Sequence, residues 1–397
     1  MLLWGVSRAA ELAEWLYEEA LTAAAAADTP RARALLLEVV RQEPRHAGAW
    51  LDLALLSCSA GDTAEAHGVL RRILAEFDPP AAIRTLVLAQ LAQPCLPLAA
   101  PLLPATAWRF GAARGHDTNV NSGTLASHLV LGTGTEAIRL PLAPELRPRS
   151  DRFDEFWADL ATRTQWVGRS AILKLGVLAR RYAREADYDL QGVTAAAELP
   201  AGSGAWAGRV QLTGMASWLG NTHFMDSLAV GWLGGLPLTA GGLPMHHEWS
   251  LMRVRFANNP AFDSVSLTAR AGVSGRHAGW FWRANALAAI ESADGRRPGG
   301  DRYGGGAELL AQRQLAPTVR LEVQARALQM QSRSAYLPPL LAVRREQALF
   351  SGRADIAVAL EGGYEWVTSW QAQDSRDNLG FLAYRGQSLQ TGIVARF

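Results

Sequence analysis

The chain has 397 residues, 49% of them hydrophobic, and a formal net charge of +2 from 39 basic and 37 acidic side chains. That near balance, with the basic residues scattered, excludes a nucleic-acid surface, and no nucleic-acid partner is expected. The length allows two or three ordinary domains, or one large barrel with a smaller companion.

Met1 to Val6 is apolar but short, and Glu11, Glu14, Glu18 and Glu19 come next, where a secretory signal needs an apolar core. Either the sequence begins after a removed signal, or an export destination is ruled out. Beyond it, Ala27-Asp28-Thr29-Pro30-Arg31-Ala32 recurs as Gly61-Asp62-Thr63-Ala64-Glu65-Ala66, 34 positions later. This is the tetratricopeptide period. Trp50, Leu53 and Ala54 open the first helix of the second unit, Gly61 marks its turn, and Ala66, Leu70, Ile73 and Leu74 line its second helix. Pro44 ends the preceding unit, where Ala32, Leu36, Val39 and Val40 hold the matching positions. Two such units need neighbours to bury their apolar faces, so helices near Ala9–Ala26 and Ala81–Leu91 are expected to cap the stack. Residues 1–95 read as this helical-repeat domain, which binds a peptide in its groove or merely braces the C-terminal domain. Cys58 falls in a helical pattern and reads most simply as a small core residue, with a periplasmic disulfide as the alternative, and makes no metal spacing with Cys95.

Residues 96–106 form a linker broken by Pro97, Pro101 and Pro104, and no stretch of the chain has the roughly 20 apolar residues of a spanning helix. From 107 to 397 the hydrophobic period changes from 3.6 to two. Val319 to Ala327 alternates strictly, as do Val265 to Val273 and Trp282 to Ile290, while Met252, Val254 and Phe256 oppose Arg253 and Arg255. About fourteen such strands predict an antiparallel transmembrane β-barrel with apolar groups toward lipid. The fold class is therefore α+β multidomain, with all-α repeats ahead of an outer-membrane barrel. Arg253, Arg255, Arg270, Arg283, Arg320, Glu322 and Arg326 are then the candidate lumen charges, facing Asp159 and Glu155 among others. Inner turns near Pro200–Gly204, Arg276–Gly279, Leu315–Pro317 and Leu360–Gly363 are short, with a longer one at Leu236–His246. The outer connections His116–Arg152, Ser292–Asp301 and Ser332–Arg344 are longer. Trp166, Trp206, Trp218, Trp232, Trp249, Trp280 and Trp366 are placed to form interfacial girdles.

Enzyme motifs fail one by one, so no catalytic residue, metal or cofactor is expected. Lys174 is the sole lysine and no glycine-rich loop precedes it, which excludes a Walker phosphate loop; no G-x-S-x-G elbow occurs. His247-Glu248 lacks the second histidine of a zinc-protease helix and, with His246, reads as a polar turn. Asp117-x-Asn119-x-Asn121-x-Gly123 resembles the start of a calcium loop, with the glycine one place late. The same segment, Gly115-His116-Asp117-Thr118-Asn119-Val120-Asn121 after a first strand, more closely resembles the Gly-Tyr-Asp-Asp/Ser-Asn-Val-Asn signature of the surface lipoprotein assembly modulators. In that family a short tetratricopeptide domain precedes a fourteen-strand barrel. His116 replaces the usual aromatic, and the array is short. The resemblance implies a translocon in the outer membrane, its repeats in the periplasm, that moves a lipoprotein or secreted protein to the surface with a periplasmic chaperone as a further partner. The alternative is an exopolysaccharide export porin, which also joins tetratricopeptide repeats to a barrel.

At the end of the chain Leu389, Thr391, Ile393, Ala395 and Phe397 share one strand face. Gln390, Gly392, Ala395 and Phe397 match the polar, glycine and paired-apolar pattern read by the barrel-assembly machinery, so that machinery and outer-membrane lipid are expected partners.

Overall fold

The computed structural model describes residues 16–17, 19–21, 23–24, 29–44, 46–77, 79, 81–92, 106–132, 137–166, 169–202, 208–240, 243–295 and 297–397. Two compact units divide the chain, Met1–Pro104 and Ala105–Phe397. The linker prolines, Cys95, Trp206 and residues 1–15 lie outside the described residues.

The first unit contains α1 (Thr29–Gln42), α2 (Ala47–Ser59), α3 (Thr63–Glu76) and α4 (Ala81–Ala92), and Leu16, Tyr17, Ala20 and Ala23 are buried in helical backbone ahead of them. Each inner helix starts on a side-chain cap. His46 Nδ1 accepts from the Ala49 N–H at 2.9 Å and Asp62 Oδ1 from the Glu65 N–H at 3.2 Å, which satisfies amides that the first turn leaves free. Gly61, at φ +83°, lies just past the end of α2 in the left-handed region that favours glycine. Helix α2 buries Ala49, Leu51, Leu53, Ala54, Ser57 and Cys58, which marks it as the central helix of the stack. One core joins Leu51 and Ala54 to Leu70 and Ile73 of α3 and to Val87 of α4. The Trp50 indole N–H donates to the Pro44 carbonyl at 2.8 Å, which ties the start of α2 to the turn after α1, and Arg72 lies over the ring at 4.4 Å. Leu53, Ala66 and Leu70 are fully buried, while Leu51, which the repeat pattern does not single out, carries much of the core. Cys58 is buried and disulfide-bonded, more than the packing residue its pattern implies.

Among the described residues the second unit contains sixteen strands: β1 (Thr106–Asp117), β2 (His128–Leu131), β3 (Ile138–Pro141), β4 (Asp151–Trp166), β5 (Arg169–Tyr182), β6 (Leu190–Ala201), β7 (Gly208–Leu219), β8 (Thr222–Ala240), β9 (Leu243–Phe256), β10 (Ser264–His277), β11 (Trp280–Ala293), β12 (Arg302–Ala316), β13 (Val319–Leu337), β14 (Leu341–Ala359), β15 (Tyr364–Asp377) and β16 (Tyr384–Arg396). β2 and β3 pair only with each other; the other fourteen close a barrel in which each strand is antiparallel to its neighbours in sequence. β1 pairs β16 from Arg109/Arg396 to Asp117/Ser388, and Trp108 and Phe397 exchange backbone hydrogen bonds of 2.9 and 3.0 Å at the last rung. Closure leaves no unpaired edge, which a sheet in hydrocarbon requires.

The end where Thr106 enters and Arg396 leaves is here the near end. Its connections are short: β4 to β5 spans 167–168, β10 to β11 spans 278–279 and β12 to β13 spans 317–318. Ala278 and Gly279 are both left-handed (φ +49° and +80°), as a two-residue hairpin turn demands. The far end carries the longer connections, residues 118–150, 183–189, 257–263, 294–301 and 378–383, with tighter links between β7 and β8 and between β13 and β14. Three expectations are corrected. The long outer connection expected at Ser332–Arg344 is mostly ladder, because β13 runs to Leu337 and β14 starts at Leu341. The long inner turn at Leu236–His246 is instead ladder, because β8 continues to Ala240 and β9 starts at Leu243; a register shift between Leu236 and Thr239 lets the sheet absorb Pro237, and Pro244 pairs with Thr239. His246-His247-Glu248 accordingly lies within β9, not in a turn.

Candidate functional site

Burial alternates along the strands and separates two faces. Outward positions hold exposed apolar groups, such as Phe156 on β4, Leu251 on β9, Ile290 on β11 and Leu389 and Ile393 on β16. The opposite parity is ionic. Arg109 meets Asp159 at 2.8 Å, Arg180 meets Glu155 at 2.5 Å, and Lys174 and Arg209 share Glu198 at 2.9 and 3.5 Å. Of the candidate lumen charges, Arg270 bridges Glu248 at 2.8 Å and Glu308 at 3.3 Å, and Arg326 adds to Glu308 at 3.4 Å. Arg320 approaches Glu365 at 3.8 Å, and Glu322 is buried and accepts from Gln324 Nε2 at 2.6 Å. Arg283 shares the inward parity of Asn285, whose Oδ1 lies 2.7 Å from His246 Nε2. The wall is thus braced by pairs of both signs. Removing one partner of so buried a pair as Glu155–Arg180 strands a charge, at about 3–5 kcal/mol.

Arg253 and Arg255 break the pattern and are corrected: they share a parity with the half-exposed Trp249 and Leu251 and point outward. Arg253 pairs with Asp294 of the far-end loop at 2.5 Å. Met252, Val254 and Phe256 take the inner side, where Phe256 makes edge contacts with Phe224 (5.6 Å) and Phe262 (6.5 Å). The physical reason is position. At the far rim the strands leave hydrocarbon, so their outer side favours charge while loop residues fold inward and supply an apolar partner. The same inversion recurs at β4 and β5. There Arg152, Asp154 and Arg181 are outward, and Phe153 and Tyr182 pack inside against Val120 of the loop.

The segment after β1 organises that rim. Asp117 is buried, accepts from the Asn119 N–H at 2.8 Å and lies 3.4 Å from the Tyr182 hydroxyl. Asn119 Nδ2 donates to the Gly123 and Arg385 carbonyls (3.0 and 2.8 Å), and its Oδ1 accepts from the Gly123 N–H at 2.7 Å. Asn121 does the same for the returning chain, donating to the Arg147 carbonyl at 2.8 Å and accepting from the Arg149 N–H at 3.0 Å. Thr124 bridges to Tyr384 at the start of β16. The Asx run therefore ties the long loop across the junction of first and last strands, and its side chains are spent on backbone, not on an ion. Gly115 is needed for a different reason: a Cβ there would meet the Phe153 ring and the Leu389 carbonyl. In the loop itself, the hydrogen bond to Glu185 (3.0 Å) holds Arg149 above its ordinary pKa.

Near the other end the closing strand sits in aromatics. Phe397 makes edge contacts with Phe110 (6.3 Å) and Tyr364 (6.5 Å), and Trp108, Trp166 and Trp366 are exposed beside the same rim. Trp280 lies under Arg313 at 5.7 Å. Gln390 points inward and reaches Glu155 of β4 at 3.4 Å, past the bare inner face of β1. A Cβ on Gly392 would collide with the Ala112 carbonyl and with Ala113. Ala395 pairs with Phe110 of β1 and Tyr364 of β15.

Sequence reading missed the inward Phe153 and Tyr182 and the Glu155–Arg180 pair. Phe153 and Tyr182 occupy strand positions where a polar lumen residue is the default, which is the signal that could have marked them. No His, Cys, Asp or Glu group among the described residues could hold a metal, and no helix among them is long and apolar enough to cross a membrane.

A closed antiparallel sheet with an apolar exterior, an ionic interior and an aromatic near rim defines a transmembrane β-barrel of the outer membrane. Among solved structures the chain is similar to OmpT of Vibrio cholerae (8% identity, 74% of this chain and 99% of that one, TM-score 0.34). It is likewise similar to Omp33 of Acinetobacter baumannii (9%, 74% and 100%, 0.35) and to the outer membrane channel DcaP of the same organism (8%, 74% and 98%, 0.36). No protein-family model and no curated protein matches it.

Proposed function

We propose that this chain is an outer-membrane translocon that delivers a lipoprotein or secreted protein to the cell surface. The observation that carries this reading is the knot at the first-strand exit. Asp117, Asn119 and Asn121, which together with Gly115 resemble the signature of the surface lipoprotein assembly modulators, fasten the largest far-end loop over the junction of β1 and β16. Ahead of the barrel, α1 and α3 recur at the 34-residue spacing of tetratricopeptide helices, starting at Thr29 and Thr63, and the groove of the stack would capture the substrate or its chaperone. The disulfide at Cys58 suits an oxidising periplasm. Export of a polysaccharide is the weaker reading, since an anionic polymer is served by a lumen of one sign and the inner wall here pairs both.

Deleting the gene and shaving intact cells with protease tests it. Loss of one or more surface proteins, restored by the full chain, is expected. An unchanged surface proteome with loss of an extracellular polysaccharide would reverse the choice.

A further inference from the structure

Outward-facing arginines gather at the far rim and are scarce at the near one. Arg181 on β5, Arg152 on β4, Arg114 on β1, Arg385 on β16, Arg376 on β15 and Arg344 on β14 lie on six successive strands of the barrel, all exposed. Among the described residues, the outward strand positions beside the near rim carry two arginines, Arg313, which lies over Trp280, and Arg169, the register partner of Trp166.

Register places the band in rows. Arg181, Asp154 and Arg114 are consecutive partners across β5, β4 and β1, and Arg152 stands opposite His116 one row outward. Asp374 serves both Arg376 and Arg385 at 3.2 Å, and Asp154 meets Arg114 at 2.7 Å. Two arginines per carboxylate leave the rows cationic. The side chains of Arg114, Arg376 and Arg385 are 78%, 69% and 59% exposed despite these contacts.

Height relative to lipid is fixed by the apolar belt directly beneath. The Arg376 guanidinium lies 5.2 Å over the Phe350 ring, and Phe350, Trp370, Leu389, Phe110 and Phe156 face outward below the band. Stem on hydrocarbon and head above it is the posture of a residue at the headgroup level. Nearer the midplane an outward arginine would cost about 2–4 kcal/mol, and at the interface about 0–1.

We infer that this band binds phosphorylated headgroups of outer-leaflet lipid, with the guanidinium forks of Arg114, Arg376 and Arg385 supplying paired N–H donors to phosphate oxygens. The occupant is a lipid, not free phosphate, because the band continues the acyl-facing belt without a break. It covers the β1–β16 junction and the strands on either side, so bound lipid would brace the wall where the barrel closes.

The test is native mass spectrometry of the full chain refolded in neutral detergent micelles doped with diphosphorylated lipid A, with enzymatically dephosphorylated lipid A and phosphatidylethanolamine as parallel probes. Wild type is expected to retain diphosphorylated lipid A at least fivefold more than either. An R114Q/R376Q/R385Q triple variant should lose that preference and R313Q should keep it; heat-modifiable gel migration verifies folding. If the triple variant fails to fold, the wild-type comparison of phosphorylated with dephosphorylated lipid decides alone. Equal retention of the three lipids, or an unchanged preference in a folded triple variant, overturns the inference, as does its abolition by inorganic phosphate at millimolar concentration.

Discussion

The two ends of the barrel obey opposite polarity rules. At the near rim aromatics face outward, with Phe397 between Phe110 and Tyr364, and charges such as Arg396 and Glu365 pair inside at 3.0 Å. At the far rim arginines face outward, and Phe153, Tyr182 and Phe256 face inward beneath loop residues. Strand parity therefore fixes which side of the wall a residue occupies, while height along the strand fixes which chemistry that side wants. A strand that leaves the bilayer before it ends keeps its parity and exchanges its polarity.

Substitutions at either rim put this contrast at risk. The largest effect is expected for Phe153→Ala, which empties a fully buried aromatic site between Val120 and Tyr182 and should cost about 3–5 kcal/mol. Urea unfolding of the refolded barrel reads this, and a loss under about 1 kcal/mol, well below the usual range for such a truncation, would mean that the far rim is not packed inside. Asn119→Ala comes next, at about 1–3 kcal/mol, since it leaves the buried Gly123 N–H without its acceptor. Its signature is local: faster amide exchange in the 118–150 loop with the near rim unchanged, whereas a uniform increase would argue against a knot confined to the far end.

Phe397→Asp probes the near rim. Near an interface the thermodynamic penalty of an outward charge is about 0–1 kcal/mol, so a fall in outer-membrane level beyond that small cost would report the assembly signal itself. Normal levels would remove that role from Phe397. The smallest effect concerns pH. Hydrogen bonds from the Ala293 N–H (3.0 Å) and Ser292 Oγ (3.2 Å) hold the Asp301 carboxyl below its ordinary pKa. A folded value below the unfolded one of about 3.9 means that its contribution is present above that pH and fades as pH falls through the folded value. Asp301→Asn should flatten the acid limb of stability slightly below the ordinary carboxylate value of about pH 4; an identical limb would exclude the group.

Much of the architecture was readable because it depends on local period. The alternation in Val319–Ala327 and Val265–Val273 requires a two-faced sheet, whose inward set includes Arg270, Arg320, Glu322 and Arg326. Arg253 and Arg255 could not be read the same way, since nothing in β9 itself states where the bilayer ends. Pro237 and the glycines beside it mimic a turn in β8, yet a bulge accommodates them. The roles of Asn119 and Asn121 were half legible: the Asx run announces backbone capping, but its partners at Arg385 and Arg147 are distant in sequence. Likewise, the bare inner face of β1 at Gly115 acquires meaning only when Phe153 and Gln390 arrive from other strands.

Both the lipid band and the direction of transport depend on which rim faces the outside, and single-cysteine labelling measures it. Ser127→Cys, in the far-end loop, and Ala278→Cys, in a near-end turn, are both exposed positions, while native Cys58 is held in a disulfide. A membrane-impermeant maleimide on intact cells is predicted to label Ser127→Cys at once and Ala278→Cys only after the outer membrane is opened. Labelling of Ala278→Cys alone on intact cells would invert the barrel, and with it the lipid band and the direction of transport.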